Sequence, residues 1–167
     1  IFVMKKIIYT ITVFLIINFG LNAYTLRENV QETLSKRGVK QSIINETSDF
    51  LLDSRGEMSI IPQQNEIASL IDRAEMLLKK DKNNIVIKQY LSAMYLKKGG
   101  NKNTLKAQKI NEENLKDKGI TDFEKWSATG LYYYQIGEKK KAQEYFDKIK
   151  EKYKEEPAVY NLIEIVM

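Results

Sequence analysis

The amino-acid sequence predicts an all-α protein built from helix-turn-helix repeats. Its 167 residues include only two prolines and eight glycines, which is few for a β protein that needs a turn about every 8–12 residues. From residue 66 onward, apolar residues recur with the period of an α-helix. Alanines, glycines and tyrosines also recur 33–38 residues apart, close to the two-helix period of a helical solenoid.

The composition fits a folded domain and excludes several chemistries. Apolar residues make up 43% of the chain and charged residues 29%, which is too apolar for a disordered protein. The sequence contains no histidine and no cysteine. This excludes Ser-His-Asp and Cys-His catalysis, Cys/His zinc sites and disulfides. Carboxylate, Ser/Lys and Tyr chemistry remain open, but we expect no cofactor and no metal site.

Residues 4–23 predict an export signal that starts at Met4, with residues 1–3 as an upstream remnant. Two lysines precede a mostly apolar run at residues 7–19, and a small residue, Ala23, marks the predicted cleavage position. The run is shorter than the roughly 20 apolar residues that span a bilayer. A retained membrane anchor and a buried core helix are the alternatives, and we favour cleavage over both.

Cleavage after Ala23 would leave 144 residues and reduce the formal charge from +5 to +3, because two lysines leave with the signal. A charge of this size gives no electrostatic case for a nucleic-acid partner. Because of the predicted export signal, the protein is expected in the periplasm or cell envelope. It would meet a membrane only through an uncleaved N-terminal segment.

Residues 24–65 are expected to form an irregular helical N-terminal segment. A short helix at residues 27–36 should end at Gly38, since glycine is common just past a helix C-terminus. A second helix is expected to start with Ser42 as its cap and to end before Gly56. The remaining residues of the segment are expected to form a loop.

Residues 66–122 are expected to form degenerate repeat helices. The first helix carries one apolar stripe whose residues lie three and four positions apart. A second helix is expected to close at Gly99 and Gly100, and a weaker third helix spans residues 103–117. The stripe of the first helix consists of Ile67, Leu70, Ile71, Ala74, Leu77 and Leu78.

Residues 123–156 contain the best-defined hairpin. Asp122 is expected to cap a helix at residues 123–136 that ends at Gly137, and a second helix follows at residues 138–153. One face of that second helix carries Ala142, Tyr145, Phe146 and Ile149.

This hairpin resembles the tetratricopeptide repeat family. The family pattern is Trp-x2-Leu-Gly-x2-Tyr, followed by a glycine, an alanine, a phenylalanine and a proline. Thr129 stands where the family prefers leucine, and the proline, Pro157, falls about three residues late. The matching positions are Trp126, Thr129, Gly130, Tyr133, Gly137, Ala142 and Phe146.

The resemblance implies a short right-handed superhelical solenoid of stacked helical hairpins. Gly130 and Ala142 would be small because the two helices of a hairpin cross closely there, and Tyr133 and Phe146 would fill the space between successive hairpins. Residues 157–167 are expected to be the first helix of a further repeat. Either this helix packs back as a cap, or the sequence is a truncated piece of a longer array.

Tetratricopeptide arrays bind peptides on a concave surface lined by the first helix of each repeat, so the resemblance also implies a set of partner-binding residues. The alternative is that these positions are ordinary solvated helix faces. The implied residues are Glu124, Ser127, Leu131, Tyr134 and Gln135 in the best repeat, Gln89, Leu96 and Lys97 in the weaker one, and Tyr160 and Glu164 in the last.

Two conspicuous runs have simpler explanations. Tyr132, Tyr133 and Tyr134 point about 100° apart on a helix, so they cannot form one aromatic platform. Tyr133 is expected in the core, Tyr134 in the groove and Tyr132 against a neighbouring hairpin. The lysines at 139–141 have acidic neighbours and are expected on a solvated face.

The sequence therefore favours an exported scaffold that binds a peptide or a partner protein, and no catalytic role. The alternative is a structural envelope or surface component that self-assembles through its repeats. A hydrolase acting through a lone glutamate is the least favoured hypothesis, because adjacent carboxylates such as Glu112 and Glu113 diverge on a helix. The oligomeric state is left open.

Overall fold

The computed structural model describes residues 23–57 and 63–154, which form seven α-helices and no strand. The all-α prediction is thus confirmed for this part of the chain. The expected export signal and the helix expected to begin at Pro157 lie outside the described residues. The helices are α1 (Ala23–Ser35), α2 (Gln41–Glu57), α3 (Gln64–Lys80), α4 (Ile85–Lys98), α5 (Asn101–Lys116), α6 (Asp122–Gln135) and α7 (Lys139–Lys152).

Contacts divide the described chain into two compact units, residues 23–110 and residues 111–154, and the division falls inside α5. In the first unit, α1 packs on α2, α2 on α3 and α3 on α4, and α1 also packs on α4. This last contact closes the four helices into a ring of neighbours, as in a four-helix bundle. The predicted stacking of helical hairpins into a solenoid is not confirmed by these contacts.

Two ion pairs show that α2 and α3 run antiparallel. Arg73 pairs with Asp53 at 3.9 Å, and Lys80, seven residues further along α3, pairs with Glu46, seven residues back along α2, at 2.5 Å. The four side chains are 38–62% exposed, and exposed pairs of this kind contribute only about 0–1 kcal/mol each. The register therefore depends mainly on the buried contacts between the helices.

The buried side chain of Asn84 joins the start of α4 to α2. Its Oδ1 accepts the Ile87 amide at 3.1 Å and so caps α4, while its Nδ2 donates to the Thr47 hydroxyl at 2.7 Å. That hydroxyl donates in turn to the Ile43 carbonyl at 2.7 Å. Asn84 and Thr47 are both fully buried, and an unpaired polar group in such a position costs about 1–3 kcal/mol. Asn84 thus fixes where α4 begins against α2.

Several helix ends match the sequence and others differ. Gly38 and Gly137 adopt φ values of +71° and +85° just past α1 and α6, a conformation that glycine reaches without steric cost. The helix α2 begins at Gln41 and continues to Glu57, so Ser42 is not its cap and Gly56 does not end it. The helix can continue through this glycine because a glycine inside a helix costs only about 1 kcal/mol relative to alanine.

In the second unit, α6 packs on α7 through Gly130. A Cβ at Gly130 would lie 2.9 Å from Cε1 of Phe146, closer than carbon atoms normally approach. Phe146 and Ala142 are buried in this contact face of α7. The expected close approach of the two helices at Gly130 is confirmed. Phe146 lies against Gly130 of its own hairpin, and its position between successive hairpins stays a prediction, because the helix expected from Pro157 lies outside the described residues.

The prediction of which α6 tyrosine is buried is wrong. Tyr132 is the buried tyrosine and Tyr133 is half-buried, the reverse of the core position predicted for Tyr133. Tyr133 stacks on the half-buried Tyr145 of α7, with ring centroids 5.8 Å apart and an interplanar angle of 18°. The family pattern implies a buried aromatic residue at Tyr133, but the burial of this side chain depends on what α6 packs against.

We predict that Gly130→Ala destabilises the protein by about 1 kcal/mol. Overpacking a core costs about 1–3 kcal/mol, and the better helix propensity of alanine offsets up to about 1 kcal/mol of that cost. Urea unfolding followed by circular dichroism measures the change. Ala128→Gly in the same helix calibrates the propensity contribution, and Phe146→Leu should reduce the cost of Gly130→Ala by making room. If Gly130→Ala stabilises the protein by the full propensity gain, the close contact is absent.

Candidate functional site

The partner-binding residues implied for α6 lie three and four positions apart and so share one side of the helix. Tyr134 is 36% exposed, Gln135 is exposed and Leu131 is half-buried. Ser127 is buried, and its hydroxyl donates to the Phe123 carbonyl at 2.7 Å, so it is not available on this surface. Glu124 lies in α6, but its side chain is outside the described part. We call Leu131, Tyr134 and Gln135 the α6 face.

The α6 face exists because the other sides of the helix are packed. Gly130 lies against Phe146, and Tyr132 is buried. Thr129 is 1% exposed. Its hydroxyl donates to the Lys125 carbonyl at 2.7 Å and lies 3.3 Å from Oδ1 of Asn111. These contacts fix the rotation of α6 and so decide which residues face solvent.

The residues implied for α4 also share one helix side. Gln89 and Leu96 are half-buried and Lys97 is exposed, whereas Tyr90 and Met94 of the same helix are buried. The α4 residues belong to the unit 23–110 and the α6 face belongs to the unit 111–154. The two sets of residues therefore belong to surfaces of different units. Tyr160 and Glu164 lie outside the described residues.

Comparisons with protein-family models, with curated proteins and with solved structures found no match. The tetratricopeptide resemblance accordingly remains a hypothesis carried by the motif residues of α6 and α7.

A cluster that sequence reasoning missed joins α3, α4 and α5. The Tyr95 hydroxyl donates to the Glu75 carboxylate. Lys106 donates to the same carboxylate at 3.0 Å, and its Nζ lies 4.7 Å from the centroid of the Tyr95 ring. The three residues are 11–31 positions apart in sequence, so only the packing of the three helices brings them together.

The electrostatics of this cluster favour a structural role at neutral pH. Burial, and then the hydrogen bond to Glu75, raise the pKa of Tyr95 well above its ordinary value. The hydrogen bond from Tyr95 lowers the pKa of Glu75. A general base or nucleophile needs a lowered tyrosine pKa, and a general acid needs a raised carboxyl pKa. Both shifts run in the opposite direction, so we assign the cluster to holding the three helices together.

Within residues 23–57 and 63–154, no group of three or more acidic side chains is placed to hold a metal ion. None of the helices in those ranges is both long and apolar enough to cross a membrane.

We predict that Tyr95→Phe lowers stability at pH 8 by about 1 kcal/mol, since it removes a hydrogen bond to a charged acceptor that is partly exposed. The raised pKa makes this deficit shrink or reverse at pH 11. Above pH ~10 the unfolded wild-type chain loses the Tyr95 proton while the folded one retains it, so wild-type stability falls as the pH rises.

Urea unfolding at the two pH values tests this prediction. Tyr134→Phe, at an exposed tyrosine, is the matched control, and all other titrating groups are common to the variants. A Tyr95→Phe deficit that is the same at both pH values would show that Tyr95 does not titrate as the cluster requires.

Proposed function

We propose that this protein is an exported helical scaffold of the tetratricopeptide type that binds a peptide segment of a partner protein on the α6 face. The observation that carries the proposal is the exposure of Tyr134 beside the half-buried Leu131, on a helix whose Gly130 and Tyr132 are packed. The motif residues of the α6–α7 hairpin and the small residue at its crossing support the tetratricopeptide assignment. The export signal predicted from the sequence supports a place in the cell envelope.

The side chains of the α6 face suit an extended peptide. Tyrosine contributes a large contact area with few rotatable bonds, and aromatic residues are enriched at the centres of protein interfaces. Leu131, three positions before Tyr134 and so next to it on the helix surface, extends the apolar area. The Gln135 amide offers both donors and an acceptor, which the backbone of an extended peptide can pair with.

The packing of the hairpin makes this face rigid before any partner arrives. Phe146 against Gly130, and Tyr133 stacked on Tyr145, hold α6 in a fixed rotation. A preorganised surface loses less conformational entropy on binding, so a larger part of the contact energy appears as affinity.

Self-assembly is the second candidate, favoured by two large apolar side chains in the unit 23–110. Met76 is 62% exposed and Leu105 is 64% exposed. Light scattering as a function of concentration distinguishes this candidate, because self-assembly through these residues would weaken in Met76→Lys and Leu105→Lys and would not depend on Tyr134.

Peptide display on the purified protein tests the binding proposal. Peptides selected on the wild type should bind the Tyr134→Ala variant at least about tenfold more weakly, since interface aromatics are frequent hot spots. Leu105→Ala removes a comparable exposed apolar side chain in the other unit and should leave binding unchanged. Circular dichroism checks that both variants are folded. Selected peptides that bind wild type and Tyr134→Ala equally would overturn the proposal.

A further inference from the structure

Four residues of α7 form a stripe that the proposed function does not use. Lys141, Tyr145, Lys148 and Lys152 lie at i, i+4, i+7 and i+11, so they share one side of the helix. They adjoin α6 at Tyr133 and Trp126 through contacts between rings and ammonium groups. We call these six residues the cation–aromatic stripe.

Each lysine of the stripe lies over an aromatic ring. The Nζ atoms of Lys141, Lys148 and Lys152 are 5.3, 4.6 and 5.3 Å from the centroids of Tyr133, Tyr145 and Trp126, respectively. An ammonium group over the face of an aromatic ring is attracted by the ring's negative face. The rings therefore hold the three ammonium groups in place without neutralising their charge.

The carboxylates that pair with these lysines are easily displaced. Lys141 lies 3.5 Å from Glu138 and Lys152 lies 2.6 Å from Asp122, and all four side chains are about half exposed. Exposed pairs of this kind are weak. Lys148 pairs with no carboxylate among the described residues. An incoming carboxylate can thus bind at Lys148 directly and replace the internal partners at the other two lysines.

The spacing of the ammonium groups suits an extended chain. Along α7, Lys141 and Lys148 are about 10.5 Å apart and Lys148 and Lys152 about 6 Å apart, at 1.5 Å per residue. An extended peptide advances about 3.3 Å per residue. Side chains on the same face of an extended chain are two or four positions apart. Acidic residues separated by four positions, about 13 Å, and then by two, about 6.6 Å, would therefore meet the three lysines in turn, because the flexible lysine side chains can span the remaining difference.

The charge of the unit argues for a short acidic segment over a polyanion. Residues 111–154 contain ten lysines and nine acidic residues, a net charge of +1. Nucleic acids and anionic membranes attract proteins through a broad positive field, and this unit has none. We propose that the cation–aromatic stripe is a second binding surface, which takes an extended acidic peptide segment of a partner protein.

This surface is separate from the α6 face. Tyr133 and Leu131 are two residues apart on α6, so their side chains point about 160° apart around the helix axis. The two proposals can therefore fail independently: Tyr134→Ala should leave acidic-peptide binding unchanged, and substitutions in the stripe should leave the peptides selected on the α6 face unaffected.

Titration with a synthetic 12-residue peptide tests the proposal. The peptide carries glutamates at positions 3, 7 and 9, which share one face of an extended chain, and its control carries glutamines there. Trp126, the single tryptophan of the chain, is an intrinsic reporter, because its fluorescence should change when Lys152 turns to the ligand. The glutamate peptide should bind, and binding should weaken as salt is raised.

Matched variants distinguish binding by the cation–aromatic stripe from binding through net charge alone. Lys141→Gln with Lys148→Gln should raise the Kd at least about tenfold, whereas Lys139→Gln with Lys140→Gln, the same charge change off the stripe, should have little effect. Glu144→Gln, which removes an exposed carboxylate between the two stripe lysines, should tighten binding.

Three outcomes would overturn the proposal. The first is no binding of the glutamate peptide, or equal binding of the glutamine control. The second is an equal loss from the two lysine pairs, which would show that only net charge matters. The third is tighter binding of single-stranded DNA or of vesicles rich in phosphatidylglycerol than of the peptide, which would assign the stripe to a different class of partner.

Discussion

The contact between Gly130 and the Phe146 ring is the constraint on which the α6–α7 hairpin depends. The Phe146 ring lies only 2.9–3.2 Å from where a Cβ at Gly130 would be, so α6 packs closely on α7 in the rotation that turns Gly130 toward this ring. That rotation brings Tyr133 onto Tyr145 and leaves Tyr134 and its neighbours exposed. Both proposed binding surfaces are consequences of the same packing contact, one on each side of α6.

In the unit 23–110, buried or half-buried polar groups determine how the helices meet. Asn84 caps α4 and bonds to Thr47 of α2, and Glu75 connects Tyr95 with Lys106. Polar groups like these add specificity because any other register leaves them unpaired at a cost of about 1–3 kcal/mol each. Burial and the hydrogen bond raise the pKa of Tyr95, and the hydrogen bond lowers the pKa of Glu75, so the pair keeps its hydrogen-bonded form over a wider pH range, which fits a rigid scaffold.

Much of the local structure was predictable from the sequence. The apolar period gave the buried face of α3, where five of the six stripe residues are buried, and glycines marked the ends of α1, α4 and α6. The pairing of helices was not predictable, because Asn84 and Thr47 are 37 residues apart and no periodic pattern joins them. For the candidate site, helical spacing placed Leu131, Tyr134 and Gln135 on one side, but the burial of Ser127 depends on contacts that one helix does not contain.

Nuclear Overhauser spectroscopy tests the central packing contact most directly. The ring carbons of Phe146 lie 2.9–3.2 Å from the Cβ position at Gly130, so the Gly130 Hα protons should give strong cross-peaks to the Phe146 ring protons and should be shifted by the ring current. Absence of these cross-peaks, in a spectrum that shows other contacts between α6 and α7, would contradict the account.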